Sequence, residues 1–522
     1  MTRIERRATC WLAVACVGLW LAAGCAPSVT EQQVLSNQGV PKYVFLFIGD
    51  GMGVAHVHAA EIYLGAVENA KAGKSGPGMH RLTMTQFPVS GLITTYSASS
   101  QVTDSAAAGT ALATGHKTSN GTVSMDPDGR LCYTSVATAA RARGMKVGIV
   151  SSTCITDATP AVFYAHQPYR GEQYEVGLQL AASPFEYIAG SEVGEAEGPQ
   201  GNILDIARSK GVQVATSRYE LATCRPGRRV FFQEKIPYEI DRPPHRVSLA
   251  ELTAKGIELL DNPDGFFMMV EGGKIDGGGH NNDAAATIGE VLALDAAIDE
   301  AMRFYRKHPL ETLIVVTADH ETGAMALNND YKRSPLGMAV LAGQTQSWNA
   351  FSFEVFNSVK ETQTWTSTGD NIPEDLWQAL GSRFGLTWDT LTDAEKTMLE
   401  DAYDASMASR GKVDEKGRRL AVPGYSRYEP LPLTAAKLVG YRAGIGWSTF
   451  GHSPMPVPVW AVGAAAWRFD GFNDNTDIPK GLAAAMRIEL PEPQTAAEMA
   501  RSDSAAPRQD YTNRADMVPA RK

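Results

Sequence analysis

Between Tyr43 and about Gly343, short apolar runs alternate with stretches whose apolar residues recur every three or four positions. The runs predict strands over 43–48, 146–151, 212–216, 266–271 and 313–317, since a few consecutive apolar residues suit a strand buried on both faces. The amphipathic stretches predict helices over 54–64, 134–143, 203–210, 249–260 and 284–307. Alternation of the two predicts an α/β fold, a mostly parallel central sheet flanked by helices on both faces. Ligands in such folds bind beyond the carboxyl ends of the strands. The polar residues that follow each run are therefore the candidate site residues.

The pattern changes at 344. Residues 344–446 are rich in Trp, Thr and charge, with helices predicted over 374–380 and 393–409. Thr392 and Glu395 form a capping box for the second of these. This segment reads as an inserted subdomain with Trp348, Trp365, Trp377 and Trp388 in its own core. It divides a catalytic core of 41–343 and 447–490, which resumes with a strand over 457–462. The tail, 491–522, has few large apolar residues and is expected to be disordered.

The N-terminus reads as an address. Arg3, Arg6 and Arg7 precede an apolar run over 11–23, shorter than the roughly 20 residues a membrane span needs. Leu21-Ala22-Ala23-Gly24-Cys25 resembles a bacterial lipobox. On that reading 1–24 is a signal peptide, Cys25 carries lipid, and 25–40 is a linker. The alternative is an A-x-A-type cleavage that leaves Cys25 an ordinary residue. Ala26, where an Asp would signal inner-membrane retention, favours an anchor at the outer membrane or cell surface, so the expected location is the cell envelope.

Composition narrows the function. Of 522 residues, 44% are hydrophobic and 20% charged, which excludes disordered, collagen-like and coiled-coil chains. The formal charge of −10 comes without a basic tract, so no nucleic-acid surface is expected. An anionic substrate would need a locally positive site, which bound metals supply. Cys10 and Cys16 leave with the signal. Cys132, Cys154 and Cys224 are enough for one disulfide and one free thiol in an oxidising compartment. No C-x-x-C occurs, which excludes a structural zinc finger.

Acidic residues and His gather at the run ends. Asp50 follows the first strand; Glu271, Asp276 and His280 follow 266–270; Asp319 and His320 follow 314–318; His452 precedes the last strand. The chain has ten His in all, so three at such places is a concentration. Imidazole and carboxylate without thiolate suit zinc, and also iron, cobalt or manganese. Singly, each residue reads as a cap or a surface group. Together, the carboxylates repel one another unless cations neutralise them. Ser105, in Val102-Thr103-Asp104-Ser105-Ala106-Ala107-Ala108-Gly109, would start a small-residue helix whose N-terminus favours an oxyanion. A zinc bond would make its hydroxyl a nucleophile near neutral pH. Read alone, the segment is an Ala-rich helix capped by Thr103 or Asp104.

These segments add up to a resemblance. Gly49-Asp50-Gly51-Met52-Gly53, Thr103-Asp104-Ser105-Ala106-Ala107, Asp157-Ala158-Thr159-Pro160, Val270-Glu271-Gly272-Gly273-Lys274-Ile275-Asp276, Thr317-Ala318-Asp319-His320-Glu321-Thr322-Gly323 and Gly451-His452-Ser453 resemble, in that order, the motifs of the alkaline phosphatase family. The resemblance implies two Zn2+ and one Mg2+ per chain. Asp276, His280 and His452 match the ligands of one zinc. Asp50, Asp319 and His320 match those of the other, which also holds Ser105. Asp50, Glu271, Asp157 and Thr159 match the magnesium ligands, an oxygen set that suits a hard cation. Arg170, ten residues after Pro160, stands where the family keeps its phosphate-binding arginine. The implied reaction is hydrolysis of small phosphate monoesters through a phosphoserine at Ser105. The resemblance also implies a crown-like role for 344–446 and allows a homodimer. Gly277 departs from the family, whose members often carry Lys, His or Trp there.

Other features carry less. Cys224-Arg225-Pro226-Gly227-Arg228 matches the sulfatase pattern C-x-P-x-R, but lies far later than the family's nucleophile segment and reads as chance. His56 and His58 are two apart on a predicted helix, point to different sides and read as surface residues. Asp261-Asn262-Pro263-Asp264-Gly265 reads as a turn. The rival functions are a phosphodiesterase or sulfatase of the same superfamily and, from another class, a binding lipoprotein that has lost catalysis.

Overall fold

Seven consecutive residues without a charge, Tyr43–Gly49, make β1, and all are buried. That pattern belongs to a strand covered on both faces. The computed structural model describes residues 38–329, 336–366, 371–415 and 417–505. The expected signal peptide over 1–24, Cys25 and most of the 25–40 linker lie outside them.

Nine further strands join β1 in one sheet: β2 Val89–Thr94, β3 Lys146–Cys154, β4 Tyr187–Ser191, β5 Gln213–Ala215, β6 Val230–Gln233, β7 Phe266–Gly272, β8 Thr312–Thr317, β9 Val457–Gly463 and β10 Gly471–Asp474. Their order is β10-β2-β9-β8-β1-β7-β3-β4-β6-β5. Every pairing is parallel except those of β9, which runs antiparallel to β2 and β8. The expected mostly parallel sheet is therefore present.

Register decides where the chemistry falls. Ile48 pairs with Glu271 on one side and Thr317 on the other, and Ser151 pairs with Glu271. The carboxyl ends of β3, β7, β1 and β8 thus finish level, and Asp50, Glu271 and Asp319 emerge at one edge. The reversed β9 brings its entry, with His452 just ahead, to that edge; Thr317 Oγ1 donates to Pro458 O at 2.9 Å. Phe45, Phe47, Phe266 and Phe267 are fully buried behind it. Each contributes about 1.5–3 kcal/mol by leaving water.

Helices close over the sheet: α1 Val54–Lys71, α2 Ser105–Thr114, α3 Leu249–Leu260, α4 Lys274–His280 and α5 Ala284–Tyr305. Beyond them α6 Glu374–Phe384, α7 Asp393–Ala408 and α8 Pro430–Ala443 follow. The Thr392–Glu395 capping box opens α7 as expected, and Asn262 Nδ2 closes the 261–265 turn on Leu260 O and Gly265 O. Trp348 is buried, but Trp388 is 47% exposed, with Lys396 Nζ 4.1 Å from its ring centre. It is not a core residue.

Three further expectations are corrected. The tail is ordered through 505: Gln494 and Thr495 pair with Cys132 and Leu131, and a helix follows over Ala496–Ala505. A capping box between Thr495 and Glu498 supplies what the sparse apolar residues do not; 506–522 lie outside the described residues. Among the described residues Cys132, Cys154 and Cys224 form no disulfide. They sit on separate elements, Cys154 Sγ lying 3.1 Å from Thr156 Oγ1 and Cys224 Sγ donating to Glu220 O. His56 is not a surface residue but fully buried, because α1 turns it onto the Glu321–Thr322 segment; His58 is exposed.

Candidate active site

Asp104 caps α2, accepting the Ala107 N–H at 3.0 Å, so the helix begins at Ser105; all its residues are buried and, Leu112 apart, small. Ser105 Oγ lies 3.2 Å from His320 Nε2. His320 and Asp319 follow β8, and Asp50 follows β1. Asp319 Oδ1 accepts the N–H of Gly51 at 3.1 Å and of His320 at 2.8 Å. Its other oxygen stands 3.3 Å from His320 Nε2, which is 3.5 Å from Asp50 Oδ1. Gly51 has φ +75, and a Cβ there would come within 2.8 Å of Asp276 Cα and Thr322 Oγ1. Only glycine allows this crossing.

The second triad is assembled from α4 and the entry to β9. Asp276 and His280, one helical turn apart, face each other at 3.3 Å, and His452 Nε2 stands 3.5 Å from the same carboxylate. The His320 and His452 rings stack with centres 3.6 Å apart, so the two triads adjoin. Donor atoms of Asp276, His280 and His452 all lie within 4.8 Å of one another, as do those of Asp50, Asp319 and His320.

Each imidazole has its outer nitrogen fixed. His280 Nδ1 meets Phe450 O at 2.5 Å and His452 Nδ1 meets Thr103 O at 2.8 Å. A carbonyl only accepts, so both Nδ1 atoms carry hydrogen. Thr322 Oγ1 gives its own hydrogen to Asp276 at 2.6 Å, so His320 Nδ1, 3.2 Å away, donates to it. All three rings thus turn Nε2 inward, the arrangement in which an outer hydrogen bond orients a metal ligand.

The oxygen set is more open. Thr159 Oγ1 donates to Asp50 Oδ2 at 3.4 Å, and Ser151 donates to Glu271 Oε2. Asp157 Oδ1 instead accepts Arg170 Nη2 and the Ala158 N–H, both at 2.7 Å. Arg170 Nη1 donates to Asp104 at 3.2 Å. Its guanidinium is thereby pinned beside the N-terminus of α2. The sequence-derived residues are gathered at one sheet edge.

The charges show what the site would accept. Burial, then repulsion from Asp319, Asp276 and Glu271, drives the Asp50 pKa well up. Burial likewise pushes Asp319 up to about 7 and raises Glu271 strongly. Burial opposes the charged form of Asp276 too, but the hydrogen bond and charge of His280 lead the groups that outweigh it and hold its pKa down. Burial keeps His320 and His452 neutral, the form that ligates metal. Among the described residues, Asp50 Oδ1, Asp319 Oδ2 and Glu271 Oε1 are buried without any hydrogen-bond partner. Such orphaned carboxylate oxygens are costly unless cations meet them. The donor set therefore fits metal ions.

Several positioning groups were missed. Thr322 and Ser453 stand within the family-like motifs 317–323 and 451–453, and spacing alone gives them no role; Ser453 donates to Glu321. Thr103 O and Phe450 O act through the backbone, which leaves no sequence signal. His56 Nε2 donates to Thr322 O at 3.1 Å, and its Nδ1 accepts the Gly53 N–H at 3.2 Å. It holds Thr322 in place.

Known proteins resemble this chain over most of its length. The family model described as alkaline phosphatase matches residues 41–186 and 191–488. The repressible alkaline phosphatase of Saccharomyces cerevisiae is 29% identical, over 92% of this chain and 87% of its own. Alkaline phosphatase 3 of Bacillus subtilis is also 29% identical, over 90% and 94%. Among solved structures, a cold-active alkaline phosphatase from a psychrophilic Shewanella superposes with a TM-score of 0.69 at 26% identity, covering 85% of this chain and 99% of that one. The chain belongs to the alkaline phosphatase family, a family of phosphoric monoester hydrolases.

Proposed function

We propose that this protein is an alkaline phosphatase that hydrolyses small phosphate monoesters to alcohol and inorganic phosphate through a phosphoserine at Ser105. The observation that carries the reading is the pair of adjoining triads whose histidines all turn Nε2 inward, with His320 Nε2 3.2 Å from Ser105 Oγ. Asp276, His280 and His452 would hold one zinc, Asp50, Asp319 and His320 the second, and Asp50, Glu271, Asp157 and Thr159 a magnesium. Bound there, the cations would neutralise the carboxylates, lower the Ser105 pKa and stabilise charge on the entering and leaving oxygens.

The chain's own residues make and break the bonds. Ser105 Oγ loses its proton and attacks phosphorus in line; the bond to the ester oxygen breaks, and the alcohol departs with a proton. The α2 N-terminus points backbone N–H groups and the positive end of its dipole at the anion. Arg170, held by Asp104 and Asp157, turns its remaining N–H donors to the non-bridging oxygens. Water then attacks phosphorus, phosphate leaves, and Ser105 regains its proton. A monoester is favoured over a diester because this guanidinium suits a doubly charged terminal phosphate. Against a sulfatase-type nucleophile, Cys224 is buried and its thiol donates to Glu220 O.

A lipid on Cys25 would hold the enzyme on a bacterial envelope, a reading supported by the Leu21–Cys25 sequence. Among the described residues no helix is long and apolar enough to cross a membrane.

The test is turnover of p-nitrophenyl phosphate by the chain lacking residues 1–25, with zinc and magnesium present. Bis-p-nitrophenyl phosphate and p-nitrophenyl sulfate run alongside. Fast monoester turnover that a chelator abolishes is the expected result. Preference for the diester or the sulfate overturns it.

A further inference from the structure

Gly277 leaves α4 without a side chain next to Asp276, and another group fills the space. A Cβ built at 277 would stand 2.4 Å from Tyr238 Oη but 3.5 Å from Tyr238 Cζ. The first distance is prohibitive and the second is ordinary contact, so the phenol oxygen alone bars a side chain at 277.

Tyr238 comes from the loop between β6 and α3, and that loop is firmly tied. The Glu239 N–H donates to Glu290 Oε1 at 2.6 Å, and the Asp241 N–H to Tyr238 O at 2.9 Å. Asp241 in turn accepts the Ser347 N–H at 2.8 Å and its hydroxyl at 2.5 Å. Lys274 Nζ lies 5.2 Å from the Tyr238 ring centre. The hydroxyl of the half-buried Tyr238 is thus placed by its scaffold rather than by its own flexibility.

Positions 277, 280 and 281 neighbour one another on α4, so Oη stands on the side of the helix that also carries His280. It accepts a long bond, 3.5 Å, from Asn281 Nδ2, and among the described residues its own hydrogen has no acceptor. Burial first, then Glu290, Asp283 and Asp276, pushes the phenol pKa far up, so the group stays a donor. A committed donor beside a triad suits an anionic oxygen.

We infer that Tyr238 is a substrate-positioning residue: its O–H donates to an oxygen of the bound phosphate ester, in the space that a side chain at 277 would otherwise take. The inference rests on the proposed reading of the site.

Tyr238→Phe keeps the ring and loop and removes only the O–H. For p-nitrophenyl phosphate, kcat/KM should fall about ten- to a hundredfold, the worth of a hydrogen bond to a charged group, with inhibition by inorganic phosphate weakened in step. Gly277→Ser should lower Tm in the wild type, where Oη crowds the new Cβ, but not in the Tyr238→Phe background. There the serine restores a hydroxyl close to the lost one, so the double variant should recover part of the phosphate affinity. Tyr238→Phe with Gly277→Ala should match its Tm without that recovery. Unchanged kcat/KM and phosphate inhibition in Tyr238→Phe, or equal recovery by Ala and Ser, would overturn the inference. A wild type with no monoester turnover fails the reading of the site itself, a distinct result.

Discussion

Thr322 donates its hydroxyl hydrogen to Asp276 Oδ1 at 2.6 Å and, with the same oxygen, accepts from His320 Nδ1 at 3.2 Å. One side chain therefore orients a ligand of each triad. Thr322→Val keeps the shape and removes both bonds. Zinc affinity, measured by competition with a chelating dye, should fall about ten- to a hundredfold with the fold intact. Unchanged affinity would show that the two triads are oriented independently of Thr322.

Arg170 differs from Lys in its planar fork, and here two of its nitrogens already bond Asp104 and Asp157. Arg170→Lys keeps the charge but loses the two-point grip. Its kcat/KM should drop about tenfold or more, chiefly through KM, and phosphate inhibition should weaken with it. A loss confined to kcat would mean that Arg170 acts only on the transition state.

Gln344, Ser347 and Trp348 bond to Asp283 and Asp241, in a buried acidic patch with a pH signature. Burial pushes Glu290 up to about 7, with Lys274 pulling the other way. In the unfolded chain a Glu titrates near about 4.3. Between those values the folded chain holds a proton that the unfolded chain has released. Glu290's contribution to stability is thus full below about 4.3 and is lost as pH climbs through about 7. Glu290→Gln keeps an acceptor for the Glu239 N–H. Its stability relative to wild type, from urea unfolding, should rise steadily between about pH 4 and about pH 8. A flat difference would contradict the assignment.

Within 344–446, Arg442 clamps Glu395 with Nε to Oε1 at 2.7 Å and Nη2 to Oε2 at 2.8 Å. Those bonds, against some burial, bring Glu395 down to about 2. The contribution is present above about 4.3 and is lost as pH falls through about 2. Arg442→Ala should cost about 1 kcal/mol at neutral pH, the scale of a well-formed surface pair, and little at about pH 2.

Much of this was legible in the sequence because the apolar runs of β1, β7 and β8 are unbroken and each ends at a ligand candidate. The sequence reading missed β2, whose Val89–Thr94 is half exposed and carries Ser90, Gly91 and Thr94, a pattern without a strand's apolar signal. It misplaced His56 because an H-x-H spacing says that two residues diverge, not which one faces inward. The contacts that orient the site, from Thr103 O to His452 and Phe450 O to His280, come from backbone carbonyls, and any residue type brings a carbonyl. Tyr238 lies 39 residues ahead of Gly277 in the chain, and only the fold brings them together.

The central claim is that Ser105 carries the phosphoryl group. Its direct test is to mix the metal-loaded chain with excess p-nitrophenyl phosphate at mildly acidic pH, quench with acid, and map the phosphorylated peptide by mass spectrometry. The prediction is one phosphoryl group on Ser105, absent from Ser105→Ala, which also loses turnover. Turnover with no phosphoserine, or a Ser105→Ala variant that still turns over at the wild-type rate, would contradict it.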